Sequence, residues 1–512
     1  MQQLLRPADG VSLRHVLPCG KFSGLGGEDL RIHGCHTDHR LICPGDLFVA
    51  VVDADSNGHD HVAEAIARGA SAVVAERLLP VPVPCCVVTD TREAYGRLCQ
   101  HLAGLPHRQL ELVGITGTFG KTVTAMLMTS VLQAANRQSG VICSIGCSDS
   151  EVTGELSSEA IRPPEVAQWL SRMLINGCTD GVIEVSSESL ASRNLAGVEF
   201  DAAILTNLRR DHLDFHGSVK NYRRAKMRLF DHLKPGGFAV VNLDDSASRF
   251  MVDQIDAPVI TVGMLETAQV RAELLERSPS EQTFLLVAGQ ESVPVRTHAI
   301  GNQYIYSCLS VAAVGLVMGL KLTDIVRGLE KTESIPGRLE RIECGQDFSV
   351  FIDQARTPAT LAASLHAVRQ VTPGKVICVY GATAWQSREE RANMGRIAER
   401  YADLGIITNN NPGQEPPLEI AHDILDGLEN PGHAHIIPDR SKAIHWALEQ
   451  AKPGDTVLVA GKGDLAYQIV GEHPMPFDDR NVARRWLRGA RPELHEIKST
   501  CVLPFRPPCE WN

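Results

Sequence analysis

Apolar runs of strand length alternate with helix-length segments along most of this chain. Near the start, GDLFVAVV (Gly45–Val52) and ASAVVAE (Ala70–Glu76) predict strands, with a helical pattern at His61–Arg68 between them. From Glu111 the alternation becomes regular. LVGITGT predicts a strand that runs into a loop, and Lys121–Ala134 predicts a helix. GVIEVSS (Gly181–Ser187), FDAAILTNL (Phe200–Leu208) and GFAVVNLDD (Gly237–Asp245) are further apolar strands that end in polar clusters. SIPGR (Ser334–Arg338) is a turn-rich break. Beyond it FSVFIDQ, KVICVYG, LGIITNN, HAHIIPD and DTVLVAGKG repeat the pattern, each separated from the next by a helix-length segment. Strands that are apolar throughout and alternate with helices form parallel sheets covered on both faces. The expected fold class is therefore α/β, with a second α/β domain after the break.

The 512 residues allow roughly three domains at about 150 residues each. The expected boundaries are 1–107, 108–335 and 336–498, with Leu105-Pro106-His107 as a linker and a Pro-rich tail at 499–512. Hydrophobic residues make up 44% and charged residues 22%, which excludes a disordered chain. No apolar stretch approaches membrane-spanning length, and Pro7, Asp9 and Arg14 interrupt the N-terminus as a secretory signal. A net charge of −11 argues against binding nucleic acid or an anionic membrane surface. The 14 cysteines show no CxxC pair or zinc spacing, so they read as small buried apolar residues. The cytoplasm is the expected compartment.

Gly114-Ile-Thr-Gly117-Thr118-Phe119-Gly120-Lys121-Thr122 follows a strand and opens a helix, the setting of a nucleotide phosphate loop. Gly117 and Gly120 let backbone N–H groups approach phosphate oxygens, and the helix N-terminus adds a favourable dipole. Lys121 would meet the β- and γ-phosphates, and the Thr122 hydroxyl would ligate Mg²⁺. Ile115 stands where the strict GxxxxGK[ST] pattern has its first glycine, so the loop is a variant.

This loop resembles the TGTxGKT loop of the Mur ligases, ATP-dependent amino-acid ligases of peptidoglycan precursor synthesis. Glu184-Val-Ser186-Ser187 resembles the family's EVSS strand end, and Thr206–Gly217 its TNLxxDHLDYHG segment. Asn221–Phe230 resembles its YxxAKxxLF helix. Gly337-Arg338, Asp353 with Thr357-Pro358, Asn411-Pro412 and Ala460–Gly463 are similar to C-terminal motifs. Gly45–Ala50 matches the N-terminal domain of the tripeptide-forming members.

The resemblance implies three domains: an N-terminal UDP-binding α/β domain, a central phosphate-loop ATPase domain with a parallel sheet, and a C-terminal Rossmann-like amino-acid-binding domain. It implies ATP and Mg²⁺ as cofactors, a UDP-MurNAc-dipeptide and an amino acid as substrates, and a monomer. Carried over, Gly117, Thr118, Phe119, Gly120, Lys121, Thr122 and Val123 bind ATP, as do Arg338 and Asp353. Lys121, Glu184, His212 and Lys226 are catalytic. Thr122, Glu184, His212 and Lys226 hold metal, the last as a carbamylated lysine. His39, Ser186, Ser192 and Asn194 meet the acceptor substrate.

Departures from the family pattern cluster. Phe119 replaces an Asn of the phosphate loop, Glu188 a His after EVSS, and Arg356 the His of DYAHTP. Gly301–Ser307 lacks both aligned asparagines of GxFNxxN, one of which helps hold adenine. A Thr-Thr pair that meets the muramoyl peptide is absent near Ser157–Pro164. His39 replaces a Ser, and Ser192 and Asn194 replace a Gln and an Arg. The amino-acid pocket changes most. The DNPR of diaminopimelate-adding members reads Asn410-Asn411-Pro412-Gly413, GKGHE reads Gly461-Lys462-Gly463-Asp464-Leu465, and the Arg of GGDRD aligns with Gln386. Two other functional readings fit these departures: a Mur-type ligase with another acceptor, and a divergent paralogue that binds nucleotide without catalysis. The retained Lys121, Thr122, Glu184, His212, Lys226, Arg338 and Asp353 favour an enzyme.

Overall fold

A computed structural model describes residues 9–489 except 25–29, 54–55 and 157–159. The expected tail at 499–512 and the Ser157 end of the segment Ser157–Pro164 lie outside the described residues. The chain divides into two compact units. One comprises Met1–Leu208, Phe215–Val270 and Cys308–Gly328, the other Arg209–Asp214, Arg271–Ser307 and Leu329–Asn512. Among the described residues, no helix is long and apolar enough to cross a membrane.

The first unit holds two larger sheets beside the two-stranded pair Val11–Ser12 and Arg31–Ile32. The N-terminal one has five strands in the order Lys21–Ser23, Cys85–Val87, Ala72–Ala75, Leu47–Val49, Cys35–His36, parallel except for the first pair. Strand periodicity sends alternate side chains to opposite faces. Leu47, Val49, Ala72, Val74 and Cys86 pack with Leu98 and Leu102 on one side. Phe48, Ala50, Val73, Ala75 and Cys85 pack with Val62 and Ala65 on the other. Both predicted strands form, each shorter than its apolar run.

In the central sheet the strands Ser139–Cys143, Asp180–Glu184, Glu111–Thr116, Phe200–Leu205, Leu233–Asn242 and Val259–Gly263 lie side by side and parallel. Glu111–Thr116 sits between Asp180–Glu184 and Phe200–Leu205, with Val113 opposite both Val182 and Ala202. Because these strands run in one direction, the loops after Thr116, Cys143, Glu184 and Leu205 emerge along one edge. The helix Lys121–Ala134 forms over the predicted span.

The second unit contains a six-stranded sheet in the order Glu340–Arg341, Ser349–Asp353, Thr456–Ala460, Val376–Tyr380, Leu404–Ile407, His435–Ile436, parallel except for the first pair. Phe351, Cys378, Tyr380 and Leu458 face the helix side chains Leu361, Leu365, Met394 and Ile424. Val350, Ile352, Ile377, Val379, Val457 and Val459 face Ala443, Ile444, Leu448 and Ala483. Two apolar layers on one sheet are why its strands read as unbroken hydrophobic runs. HAHIIPD contributes only the two residues His435–Ile436.

Sequence reading assigned no strands between Gln282 and Thr297, where an antiparallel hairpin pairs Gln282–Ala288 with Glu291–Thr297. Only alternate residues there are buried (Phe284, Leu286, Val295), and polar residues and Pro294 between them dilute the apolar signal.

Arg440 and Asp479 form a fully buried ion pair at 2.8 and 2.7 Å, and Arg440 also donates to Ala460 O at 2.9 Å. Removing one partner strands a buried charge. Asp479→Ala is therefore expected to lower stability by about 3–5 kcal/mol. Urea unfolding followed by circular dichroism checks this, and an unchanged midpoint would contradict it.

Candidate active site

The phosphate loop is built from the edge of the central sheet. Gly117 has φ +152° and Gly120 φ +83°, conformations open to glycine. A Cβ on Gly117 would fall 1.8 Å from Thr206 Oγ1, so the position has no room for a side chain. Gly120 precedes the helix Lys121–Ala134 with no side-chain cap. The first N–H groups of that helix thus have no capping side chain, which suits an anion.

The next strand's loop clamps the turn. Asn207 Oδ1 accepts from Phe119 N at 3.2 Å, and Asn207 Nδ2 donates to Phe119 O at 2.9 Å. Thr206 Oγ1 donates to the same carbonyl at 2.7 Å. Phe119 therefore keeps its backbone place although it departs from the family residue. Lys121 Nζ donates to Thr118 O at 3.1 Å, curling over the loop. Val123, two residues further along the helix, is half-buried.

Thr122 and Glu184 come together as expected. Thr122 Oγ1 donates to Glu184 Oε2 at 2.9 Å and lies 2.9 Å from Ser144 Oγ. Ser144 N donates to the same carboxylate oxygen at 3.0 Å. Lys226 is buried, not a surface helix lysine: its Nζ donates to Gly117 O at 2.7 Å and lies 4.8 Å from the Tyr222 ring centroid. Tyr222 OH in turn lies 2.8 Å from Thr118 Oγ1. Two segments distant in sequence thus hold the loop from beneath.

Ser144, Asn207 and Tyr222 were not among the residues read from sequence. Ser144 follows a strand end and Asn207 lies in the TNL motif, but neither spacing reveals which loop atom each meets.

His212 lies in Arg209–Asp214, the segment grouped with the second unit. It has φ +48°, and its Nε2 is 3.7 Å from Asp211 Oδ2. Among the described residues, no cluster of three His, Cys, Asp or Glu side chains suits a metal. The structure brings together Thr122 and Glu184 of the expected set, with Lys226, on the helix Val219–Met227, donating to Gly117 O of the phosphate loop.

Of the residues expected to meet acceptor, Ser186 caps the helix Ser187–Ala191 by accepting from Ser189 N, and Ser192 closes it. Asn194 donates to Ile161 O at 2.9 Å. His39 stacks on His61 with ring centroids 4.6 Å apart.

In the second unit, the residues following the parallel strands gather at one edge, where α/β sheets take ligands. Asp353 ends one strand. Its carboxylate accepts from Ser364 Oγ at 2.7 Å, Leu339 N at 2.7 Å and Ala355 N at 2.9 Å. Burial pushes this carboxyl above the usual range, opposed first by the Ser364 bond. Arg338 donates to Asp464 Oδ1 at 2.7 Å.

Fully buried Lys462 donates to Asn411 Oδ1 at 3.0 Å, and burial lowers its pKa to about 8. It ties the 461–465 loop to the 410–413 loop. Gln386 folds back on its own turn, accepting from Thr383 N at 2.8 Å and donating to Arg356 O at 2.8 Å. Gly413 has φ +58° and carries no side chain into this region. Arg391 is almost wholly buried, but its charge is met by Glu415 at 2.5 and 2.6 Å and by Asp423 at 2.9 Å.

A phosphate loop backed by an oxygen-donor pair, on a parallel sheet with a second α/β sheet behind it in sequence, defines a nucleotide-binding architecture. Residues 115–315 match the Mur ligase middle domain, and residues 337–463 match the Mur ligase, glutamate ligase domain. The chain belongs to the Mur ligase family, whose members are ATP-dependent amide ligases.

It is 37% identical over 466 residues to a UDP-N-acetylmuramoyl-L-alanyl-D-glutamate--2,6-diaminopimelate ligase of Geobacillus thermodenitrificans, covering 89% of this chain and 94% of that one. It is 36% identical to the ligase of the same name from Solibacter usitatus, covering 90% and 94%. A solved structure of a ligase with that name superposes with a TM-score of 0.66 at 28% identity, covering 94% of this chain and 99% of the other. A folylpolyglutamate synthase of Mycobacterium tuberculosis shares the fold at 18% identity and a TM-score of 0.56, covering 79% and 96%.

Two substitutions test the loop. Lys121→Ala is expected to abolish ATP turnover with the circular dichroism spectrum unchanged, because Lys121 brings a full positive charge to the phosphates. Gly117→Ala is expected to do the same through the clash with Thr206. Turnover at the parent rate in either variant would contradict the assignment.

Proposed function

We propose that this protein uses ATP to join an amino acid to UDP-N-acetylmuramoyl-L-alanyl-D-glutamate, in the cytoplasm and as a monomer. On this reading residues 1–107 take the UDP moiety, 108–335 the ATP and 336–498 the amino acid. The observation that carries it is the set of Lys121, Thr122, Glu184 and Lys226 gathered about the phosphate loop. Hydroxide is a poor leaving group, so a carboxylate must be activated before an amine can displace oxygen. Its oxygen attacks the γ-phosphorus of ATP, ADP departs, and the resulting acyl phosphate is attacked by the amine, releasing phosphate and a proton. Negative charge builds in both steps, and cations held in advance lower both barriers.

The residues near Thr122 fit Mg²⁺ by donor chemistry: the Thr122 and Ser144 hydroxyls and the Glu184 carboxylate are all hard oxygen ligands. These side chains would hold the ion, which supplies charge neutralisation on the phosphates. Lys226 is read as a carbamate on the family resemblance: a carbamate keeps an N–H for the Gly117 carbonyl, the acceptor its Nζ has here, and turns the side chain into an anionic oxygen ligand.

The amino acid is read as one other than diaminopimelate. Gly413, Leu465 and Gln386 stand where diaminopimelate-adding members carry Arg, Glu and Arg. Arg391 offers no replacement cation, since two carboxylates already neutralise it. A distal carboxylate left desolvated and unpaired costs more than neutral contacts return. A smaller or less charged amino acid fits this pocket.

Steady-state kinetics across diaminopimelate, lysine, ornithine and neutral amino acids tests this, with kcat/KM for a neutral amino acid expected to exceed that for diaminopimelate by roughly a thousandfold. A clear preference for diaminopimelate would overturn it. For Lys226, Lys226→Ala is expected to lose activity and to regain part of it with short-chain carboxylates. Mass analysis without acid is expected to show the carbamate on the parent chain, and a bare amine there would contradict it.

A further inference from the structure

Two loops of the second unit leave neighbouring parallel strands, one after Val376–Tyr380 and the other after Leu404–Ile407. Ala384 N donates to Asn411 O at 3.3 Å and ties the two loops together. Among the described residues, a Cβ built on Gly413 would meet only Ala384 Cβ within 4 Å, at 3.4 Å. The place where diaminopimelate-adding members carry Arg is thus open, and its nearest wall is a methyl group. A third segment joins these loops. The hairpin that pairs Tyr467–Val470 with His473–Pro476 bridges to Gly413 through Val470, and Gly471 N donates to Gly413 O at 2.8 Å.

Polar side chains of the three segments hold the segments themselves. Gln386 accepts from Thr383 N and donates to Arg356 O, both at 2.8 Å. Asn411 Oδ1 accepts from Lys462 Nζ and from Ile469 N, both at 3.0 Å, and Gln414 Nε2 donates to Glu472 Oε1 at 2.7 Å. Two large apolar side chains of the same segments stay in solvent. Trp385, next to Ala384, is 61% exposed, and Val470 is 51% exposed. In the register that sets Gln386 against the Arg of GGDRD, Trp385 takes the place of the Asp before it.

An indole left mostly in water on the edge where α/β sheets take ligands forgoes the burial its ring offers, and a hydrocarbon side chain laid against it recovers that burial. A distal carboxylate there would lose water without gaining an ion partner, since Arg391 is already met by Glu415 and Asp423. A lysine ammonium would gain a cation–π contact, which is weak at an exposed ring.

We propose that Trp385, together with Val470, is a specificity-determining residue of the amino-acid site, and that it selects a neutral amino acid with a hydrocarbon side chain of the size of leucine or phenylalanine. The proposal rests on the reading that residues 336–498 take the amino acid.

The test measures ligation by the full chain with ATP, Mg²⁺ and UDP-N-acetylmuramoyl-L-alanyl-D-glutamate across leucine, phenylalanine, alanine, serine, lysine and diaminopimelate. Leucine or phenylalanine is expected to exceed alanine in kcat/KM by about tenfold or more, because each extra carbon buried against the ring adds to binding. Trp385→Ala is expected to shrink that ratio to about threefold or less, through KM rather than kcat, and Trp385→Phe to keep most of it. The melting temperature is expected to stay the same in both variants, since the ring is mostly exposed. Fluorescence with AMPPCP in place of ATP supplies a readout independent of turnover. Of the chain's five tryptophans, Trp385 is the one expected to respond. Leucine is expected to shift the parent's emission to shorter wavelength and to leave that of Trp385→Phe unshifted.

No ligation with any of these amino acids, or a preference for diaminopimelate, would overturn the functional reading and the proposal with it. Ligation that favours alanine, serine or lysine would overturn the proposal alone. So would a leucine preference that survives Trp385→Ala, a preference lost only together with a lowered melting temperature, or an emission shift that persists in Trp385→Phe.

Discussion

Strand Glu111–Thr116 is hydrogen-bonded on both edges to parallel neighbours, and the chemistry of the first unit depends on that pairing. A strand paired on both sides cannot slip by one residue without turning its buried side chains to the wrong face. Its exit is therefore fixed, and the chain must turn at once into the helix that begins at Lys121. The turn has no room for side chains at Gly117, because Thr206 occupies the space. The same neighbours that fix the strand deliver Glu184 to Thr122 and Thr206-Asn207 to Phe119. The shape of the loop and the Thr122–Glu184 contact thus share one cause.

The second unit is built by the same logic. Its strands bury both faces, so polar chemistry is confined to the residues that follow them. Asp353, Gln386, Asn411, Lys462 and Asp464 all come from such positions. Several are held by backbone groups and by one another, as in the Lys462–Asn411 bond and the Arg338–Asp464 pair.

The long apolar strands and the helix Lys121–Ala134 were legible in sequence because periodicity and glycine placement carry direct physical meaning. The Gln282–Thr297 hairpin was not, since a sheet buried on one face and dotted with polar residues gives a faint signal. Within the site, Thr122 and Glu184 were found by motif and do meet. Their partner Ser144 was not found, because a serine at a strand end is ordinary until a sheet brings it beside a carboxylate. Lys226 could be read as a surface helix lysine by spacing alone, and only packing against Tyr222 and Gly117 puts it inside.

The central claim is that the loop transfers a phosphoryl group to a carboxylate, forming an acyl phosphate before any amino acid reacts. Isotope exchange between ADP and ATP, followed with UDP-N-acetylmuramoyl-L-alanyl-D-glutamate present and amino acids left out, measures that step directly. Exchange is predicted to appear only when the acceptor is added and to vanish in Lys121→Ala. Nucleotide binding with no acceptor-dependent exchange would contradict the account and mark the chain as a nucleotide-binding protein without ligase chemistry.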